Sequence, residues 1–263
     1  MKAKLKRMIS DLLFLWQFSL DDFKKKYAGS VGGVVWAVFQ PLFTVILYWF
    51  VFQVGLKSGS VTEVPFVLWL IAGLLPWLYF SETVSSSIPA FAEYSYLVKK
   101  VRFNIDILPL IKIVSGLLVH GILICVMILM YCCYGFGFSI YYIQALLYLI
   151  YTIVLMAGML YLCCSLYVFF KDIIQIVGVF FQFAFWATPI VWSLDIMNPM
   201  IQNVLRISPF YYFVCGSRDC FVNHVWFWER GMMNLYYWGV ALLIFVFGLS
   251  IYKKCKPHFA DVL

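Results

Sequence analysis

Residues 141–170 read YYIQALLYLIYTIVLMAGMLYLCCSLYVFF, a run without one charged side chain. At about 1.5 Å of rise per residue, a helix of this length reaches across the ~30 Å hydrocarbon core of a bilayer. In lipid such a helix closes its own backbone hydrogen bonds and needs no water. Five other stretches carry the same signature: Val31–Gly55, Val64–Ser85, Leu108–Tyr134, Ile173–Trp192 and Met233–Tyr252. Together the stretches predict an all-α integral membrane protein with six spans in a single domain. Composition agrees, because a chain of 263 residues that is 65% hydrophobic and 12% charged, with a mean hydropathy of +0.94, has too little polar surface to wet a soluble globule.

The net charge of +7 does not point to nucleic acid, since the basic residues cluster beside apolar runs rather than covering a face. Their placement sets orientation. Of nineteen Lys and Arg, only Lys57, Arg206, Arg218 and Arg230 fall on one side of the predicted membrane. The rest mark the cytosol by the positive-inside rule, with both termini there, and an even number of spans gives the same answer. The N-terminal Lys2, Lys4, Lys6 and Arg7 before Leu12–Leu20 imitate a signal peptide, but Asp11, Asp21 and Asp22 flank the run and no small-residue cleavage site follows, so this segment is read as part of the mature chain.

Three segments are neither simple spans nor simple loops. Residues 5–23 place Leu5, Met8, Ile9, Leu12, Trp16, Leu20 and Phe23 at helical spacing, with Lys24, Lys25 and Lys26 following, which predicts an amphipathic helix in the cytosolic interface. In the cytosolic connection Ser86–Asn104, Ile88, Phe91, Tyr94, Leu97 and Val98 alternate with Glu93, Lys99, Lys100 and Arg102, the pattern of a short helix offered to a soluble partner. The external connection, residues 193–231, is too broken by Pro199 and Pro209 to span and too aromatic to sit free in water, so two short helices dipping into the outer interface are expected.

Catalytic signatures are missing. The chain has no G-x-x-x-x-G-K-[ST] phosphate loop, no H-E-x-x-H and no G-x-S-x-G, and its histidines, His120, His224 and His258, lie on separate segments. No metal site and no cofactor of its own are therefore expected. His120, inside a span, is read as a neutral histidine bonded to a helix carbonyl. Glu82, Asp106 and Lys112 sit near cytosolic ends and do not form the carboxylate-rich interior of an ion-coupled carrier. The eight cysteines contain no C-x-x-C pair; those in apolar runs read as small buried hydrophobes, and Cys215 and Cys220, on the side where a disulfide is permitted, read as free thiols. An intramembrane enzyme would need clustered His, Asp or Glu at one depth, and a secondary transporter should show an internal repeat; neither pattern is found.

Asp22-Phe23, Lys26-Tyr27, Ser30, Gly33, Trp36 and Gln40-Pro41-Leu42 resemble the N-terminal signature of ABC-transporter permeases that export polysaccharides. Further landmarks follow in order: Gly73, Trp77 and Phe80; Leu97 to Val101; Leu108-Pro109; Phe170-Lys171-Asp172-Ile173; Thr188-Pro189; Asn198-Pro199; Ser208-Pro209; and Phe259-Ala260-Asp261. The resemblance covers the whole chain and is nearest the O-antigen (Wzm-like) branch, with teichoic-acid permeases of the TagG type next. Phe103-Asn104 and Lys171-Asp172 depart from the family's Phe-Pro and Arg-Asp.

The resemblance implies a permease homodimer in the bacterial inner membrane, moving a lipid-linked polysaccharide and paired with two nucleotide-binding subunits that hold ATP and Mg. It implies that residues 90–100 form a coupling helix, with Glu93, Tyr94, Leu97, Lys99 and Lys100 meeting the ATPase, and that residues 5–23 pack beside it. It also implies an outer gate around Asn198, Pro199, Pro209 and Phe210. Sugars stack on aromatic rings, and helical register places Trp36, Phe39, Phe43 and Phe50 on one stripe and Phe181, Phe185, Thr188 and Trp192 on another, so these are the candidate pathway residues. Capsule, drug and small-lipid export by related permeases are the competing readings.

Overall fold

The computed structural model describes residues 2–57, 64–98 and 104–262, with side chains described outside 2–12, 97–98 and 260–261. Among these residues the chain is helical and contains no strand. Helix α1 runs Lys2–Tyr27, longer at both ends than the expected 5–23. Its protein-facing side is Leu15, Phe18, Ser19 and Asp22, spaced i, i+3, i+4, i+7, while Trp16 is 46% exposed. The packed face is thus rotated from the predicted stripe: Leu15 and Phe18 pack on the apolar core, Asp22 meets Lys112 and Tyr94, and the Ser19 hydroxyl is satisfied within α1 by donating to the Leu15 carbonyl.

Helix α2 (Val35–Trp49) continues through a π-helical turn, Phe50–Gly55, and α3 covers Phe66–Ser87. The chain enters α2 through turns at Gly29 and Gly33, whose φ values of +90° and +49° favour glycine. Two short helices follow, α4 (Ala90–Glu93) and α5 (Ser95–Val98), broken at Tyr94 rather than forming one helix over 90–100; Lys99 and Lys100 lie outside the described residues. Helix α6 (Leu108–Cys133) begins with a 3₁₀ turn at Ile105–Ile107, where the Asn104 side chain accepts from the Asp106 N–H. Helix α7 (Ala145–Phe169) is preceded by a 3₁₀ turn at Ile140–Gln144.

The fifth predicted span differs. Helix α8 covers only Ile173–Ala187, because Thr188 is extended ahead of Pro189, and residues before proline avoid the α region. Its 15 residues give a rise of roughly 22 Å, less than a bilayer core. Among the described residues, five helical stretches have the length and apolarity to cross a membrane, and α8 is a shorter apolar helix.

The connection over residues 193–231 contains two short helices, α9 (Pro199–Arg206) and α10 (Pro209–Arg218). The side chains of Asn198 and Ser208 cap them, and a proline opens each, where its missing N–H costs nothing. Helix α11 (Met233–Cys255) returns the chain, and α12 (Phe259–Val262) ends the description.

The helix α3 is the central element, 78% buried over its apolar window, whereas α2 is 17% buried and lies at the periphery. Helices α7 and α11 pack along their length with almost no space between backbones. A Cβ on Gly158 would lie 2.6 Å from the Phe245 backbone, and one on Gly248 would lie 2.0 Å from the Gly158 carbonyl oxygen. Small residues at such contacts are how membrane helices gain packing without help from water.

Candidate functional site

At the end of the molecule expected to face the cytosol, four side chains from three elements converge. Lys112, one turn into α6, places its Nζ 2.8 Å from Asp22 Oδ1 of α1 and 2.8 Å from Glu93 Oε2 at the end of α4. The Tyr94 hydroxyl donates to Asp22 Oδ1 at 2.6 Å, and its ring packs 5.5 Å from Phe18 and beneath the Lys25 ammonium. Burial alone would raise the Asp22 pKa, but the adjacent ammonium of Lys112, with hydrogen bonds from Lys112, Tyr94 and Ser115, holds it below the usual carboxylate range. Burial and the neighbouring carboxylate push the Tyr94 phenol up. A cleft of about 400 Å³ opens beside this cluster, edged by Lys25, Lys26 and Ser86.

A second knot lies below it. Asp106, in the turn before α6, accepts from the Tyr252 hydroxyl and the Lys256 ammonium of the last spanning helix and its C-terminal turn. The Asp106 carbonyl accepts from the Tyr161 hydroxyl of α7 at 2.8 Å. Phe91 of α4 is fully buried and stacks on Tyr252, with centroids 5.6 Å apart, and meets Phe259 at 5.0 Å. The Cys164 thiol of α7 donates to the Ser87 carbonyl at 3.2 Å. The short helix α4 is therefore wired to α1 and α6 through charge and to α11 and α12 through rings. A push on α4 reaches four other elements.

Of the predicted coupling residues, the structure places Glu93 and Tyr94 in this junction; the Leu97 side chain, Lys99 and Lys100 fall outside the described residues. Ile88, Phe91 and Tyr94, expected on a face offered to a soluble partner, instead point into the protein. Glu93 and Tyr96 are the exposed groups there. Asp22, Lys112 and Asp106 are the members that spacing did not identify. The available signal was a lysine inside an apolar run, which needs a counter-ion if its ammonium does not reach water.

The two predicted pathway stripes are placed differently, one exposed and the other mostly buried. Trp36, Phe39, Phe43 and Phe50 form an exposed face of α2, with Phe39 and Phe43 5.4 Å apart. Phe181, Phe185 and Thr188 are buried. Phe181 meets Trp77 and Phe80 of α3, and Phe185 stacks on Tyr48 of α2 at 5.4 Å. Trp192 is half-buried, its indole N–H donating to the Trp186 carbonyl.

Of the residues expected at an outer gate, Asn198 and Pro199 are exposed and start α9, while Phe210 is buried against Trp77, Phe80 and Phe181. Pro209 opens α10 beside it. Cys215 and Cys220 are both free, and the Cys220 thiol donates to the Gly216 carbonyl. His120 is buried and stacks on Tyr79 at 4.6 Å, and its Nδ1 has no partner in the protein.

Residues 15–222 match the family described as ABC-2 type transporter, which takes in α1, the junction and the outer helices alike. The chain belongs to the ABC-2 type transporter family. Its membrane-length helices and bacterial relatives make this ABC-2 chain a multi-pass permease of the bacterial inner membrane. It is similar to an O-antigen export system permease protein RfbA of Klebsiella pneumoniae, 27% identical over 244 residues that cover 92% of each chain. It is also similar to the protein of the same name from Myxococcus xanthus, 25% identical over 246 residues and 91% of each chain. The junction thus lies in a chain whose family transports solutes, and no phosphate loop for ATP occurs in its sequence.

Proposed function

We propose that this chain is the membrane subunit of an ATP-driven exporter that moves a lipid-linked polysaccharide of the O-antigen class from the cytosolic to the outer side of the inner membrane. In this reading two copies form the channel, and each engages one nucleotide-binding subunit, which binds the ATP and Mg that the permease does not. The product feeds lipopolysaccharide assembly. The names and whole-length coverage of the relatives support the substrate class.

The observation that carries the mechanism is the wiring of α4. A coupling element must be stiff towards the spans and accessible to the engine. The buried face of α4 and its flanking residues, Ile88, Phe91 and Tyr94, is locked to α1, α6 and α11, while Glu93 and Tyr96 remain at the surface. Closure of the ATPase around the surface groups would displace α4, and the Lys112 and Asp106 knots would carry that displacement into the membrane. Substrate sliding along aromatic surfaces needs no tight site, because ring faces hold sugar C–H groups weakly.

The test is deletion of the gene in its native host, followed by analysis of lipid-linked glycans. Accumulation of a long polymeric intermediate on the cytosolic side, relieved by the wild-type gene, is expected, together with co-purification of an ATPase subunit. A small accumulated solute, or a permease that purifies active without an ATPase, would overturn the proposal; a glycerol-phosphate or capsule polymer in place of O-antigen would overturn its substrate class alone.

A further inference from the structure

Arg218, the last residue of α10, is 4% exposed, and no carboxylate among the described residues forms an ion pair with it. Its neighbour Asp219 is engaged by Arg230, with Nε to Oδ2 at 2.8 Å. The Arg218 guanidinium is instead filled by backbone oxygens. Nη1 donates to the Pro189 carbonyl at 2.5 Å, Nη2 to the Ile190 carbonyl at 2.5 Å, and Nε to the Trp69 carbonyl at 3.3 Å. Its Cζ lies 3.5 Å from the centre of the Trp69 ring.

Arg218 thus ties α10 to two other elements, the outer end of α3 and the irregular stretch after α8. Local sequence explains why they are available. Pro189 stops α8, so the carbonyls of residues 189 and 190 lie beyond the helix and receive no helical donor, a costly state when buried. Gly73 explains why the guanidinium fits, because a Cβ there would stand 2.6 Å from Nη2. The planar fork suits this seat, since it reaches two adjacent carbonyls at once while stacking on an indole.

A buried cation without a counter-ion has two favourable environments and a poor one between them. In the dry state it needs all of its carbonyls; once water enters, hydration replaces them and the desolvation cost is recovered. We propose that Arg218 is a positioning residue that latches the outer mouth of the permeation path: it fastens the outer helix pair to α3 and to the end of α8, and the mouth opens when these carbonyls separate from it. This inference rests on the reading of the chain as an exporter with a gated outer end.

The test uses the complete transporter in proteoliposomes without nucleotide or glycan, with release of trapped carboxyfluorescein as the readout. Arg218→Gln removes the charged donor, and leak is expected to rise by roughly tenfold or more, the scale of losing one charged hydrogen bond. Gly73→Ala, which keeps the arginine but obstructs its seat, should raise leak in the same direction, and the double variant should leak no more than the leakier single one. Arg218→Lys, a point charge without the fork, should stay leaky. Wild-type tightness in correctly inserted, monodisperse Arg218→Gln or Gly73→Ala overturns the latch, as does full rescue by lysine. If Arg218→Gln does not insert, the other two variants decide. The glycan plays no part in this readout, so failure here leaves the export reading standing, and failure of the export reading leaves the leak result standing.

Discussion

Replacing Lys112 by methionine tests the junction of α1, α4 and α6 most directly. The ammonium serves two carboxylates of unequal burial: the Asp22 side chain is 6% exposed and that of Glu93 is 42% exposed. Loss of the Glu93 contact should cost about 0–1 kcal/mol, as for surface pairs. Loss of the Asp22 contact strands a buried carboxylate and should cost about 3–5 kcal/mol. Asp22→Asn should be milder, about 1–3 kcal/mol, because Asn still accepts from Tyr94 and Lys112 keeps Glu93. The double variant removes both charges together, so it should be less damaged than the sum of the singles by about 1 kcal/mol or more. Thermal unfolding of the purified protein at pH 7.5, followed by tryptophan fluorescence, reads these differences at about 2–4 °C per kcal/mol, which puts Lys112→Met on the order of 10 °C below wild type. Additive singles, or a Lys112→Met protein as stable as wild type, would refute the claim that this pair holds α1 against α6.

Other consequences are independent of that pair. Because the Asp22 carboxyl is held below its ordinary range, its contribution is complete above the unfolded pKa of about 3.9 and is lost as pH falls through the lower folded value. Melting temperatures of wild type relative to Asp22→Asn should therefore keep a constant gap from pH 8 to about 5 and converge only below about 4; a gap that closes near pH 6 would contradict the assignment. Gly158→Ala forces a methyl group to within 2.6 Å of the Phe245 backbone, so α11 must shift, at about 1–3 kcal/mol, whereas Gly121→Ala, inside α6, meets nothing within 4 Å and should not lower the melting temperature, since alanine suits a helix interior better by about 0.5–1 kcal/mol. Since Cys215 and Cys220 are free, a reducing agent should leave thermal unfolding where it is, and a downward shift would reveal a bridge.

What the sequence determined by itself is whatever depends on runs and signs along the chain. An uncharged run such as 141–170 can find its solvent only in lipid, so the membrane class was legible from residues alone, as were a helix near the N-terminus and a broken connection over residues 193–231. Pathway and partner faces were not. Periodicity says that Phe181 and Phe185 share a stripe, but lipid, a second copy and the protein's own core are all apolar, and only packing against Trp77, Phe80 and Tyr48 decided that the core takes them. Spacing equally placed Ile88, Phe91 and Tyr94 together without saying whether that face turned outward or inward. The charged junction and the Arg218 seat depend on residues 72, 90 and 149 positions apart meeting at a few ångströms. One-dimensional spacing carries no information about such encounters, because the energy that selects them, desolvation offset by a specific partner, exists only after the helices have packed.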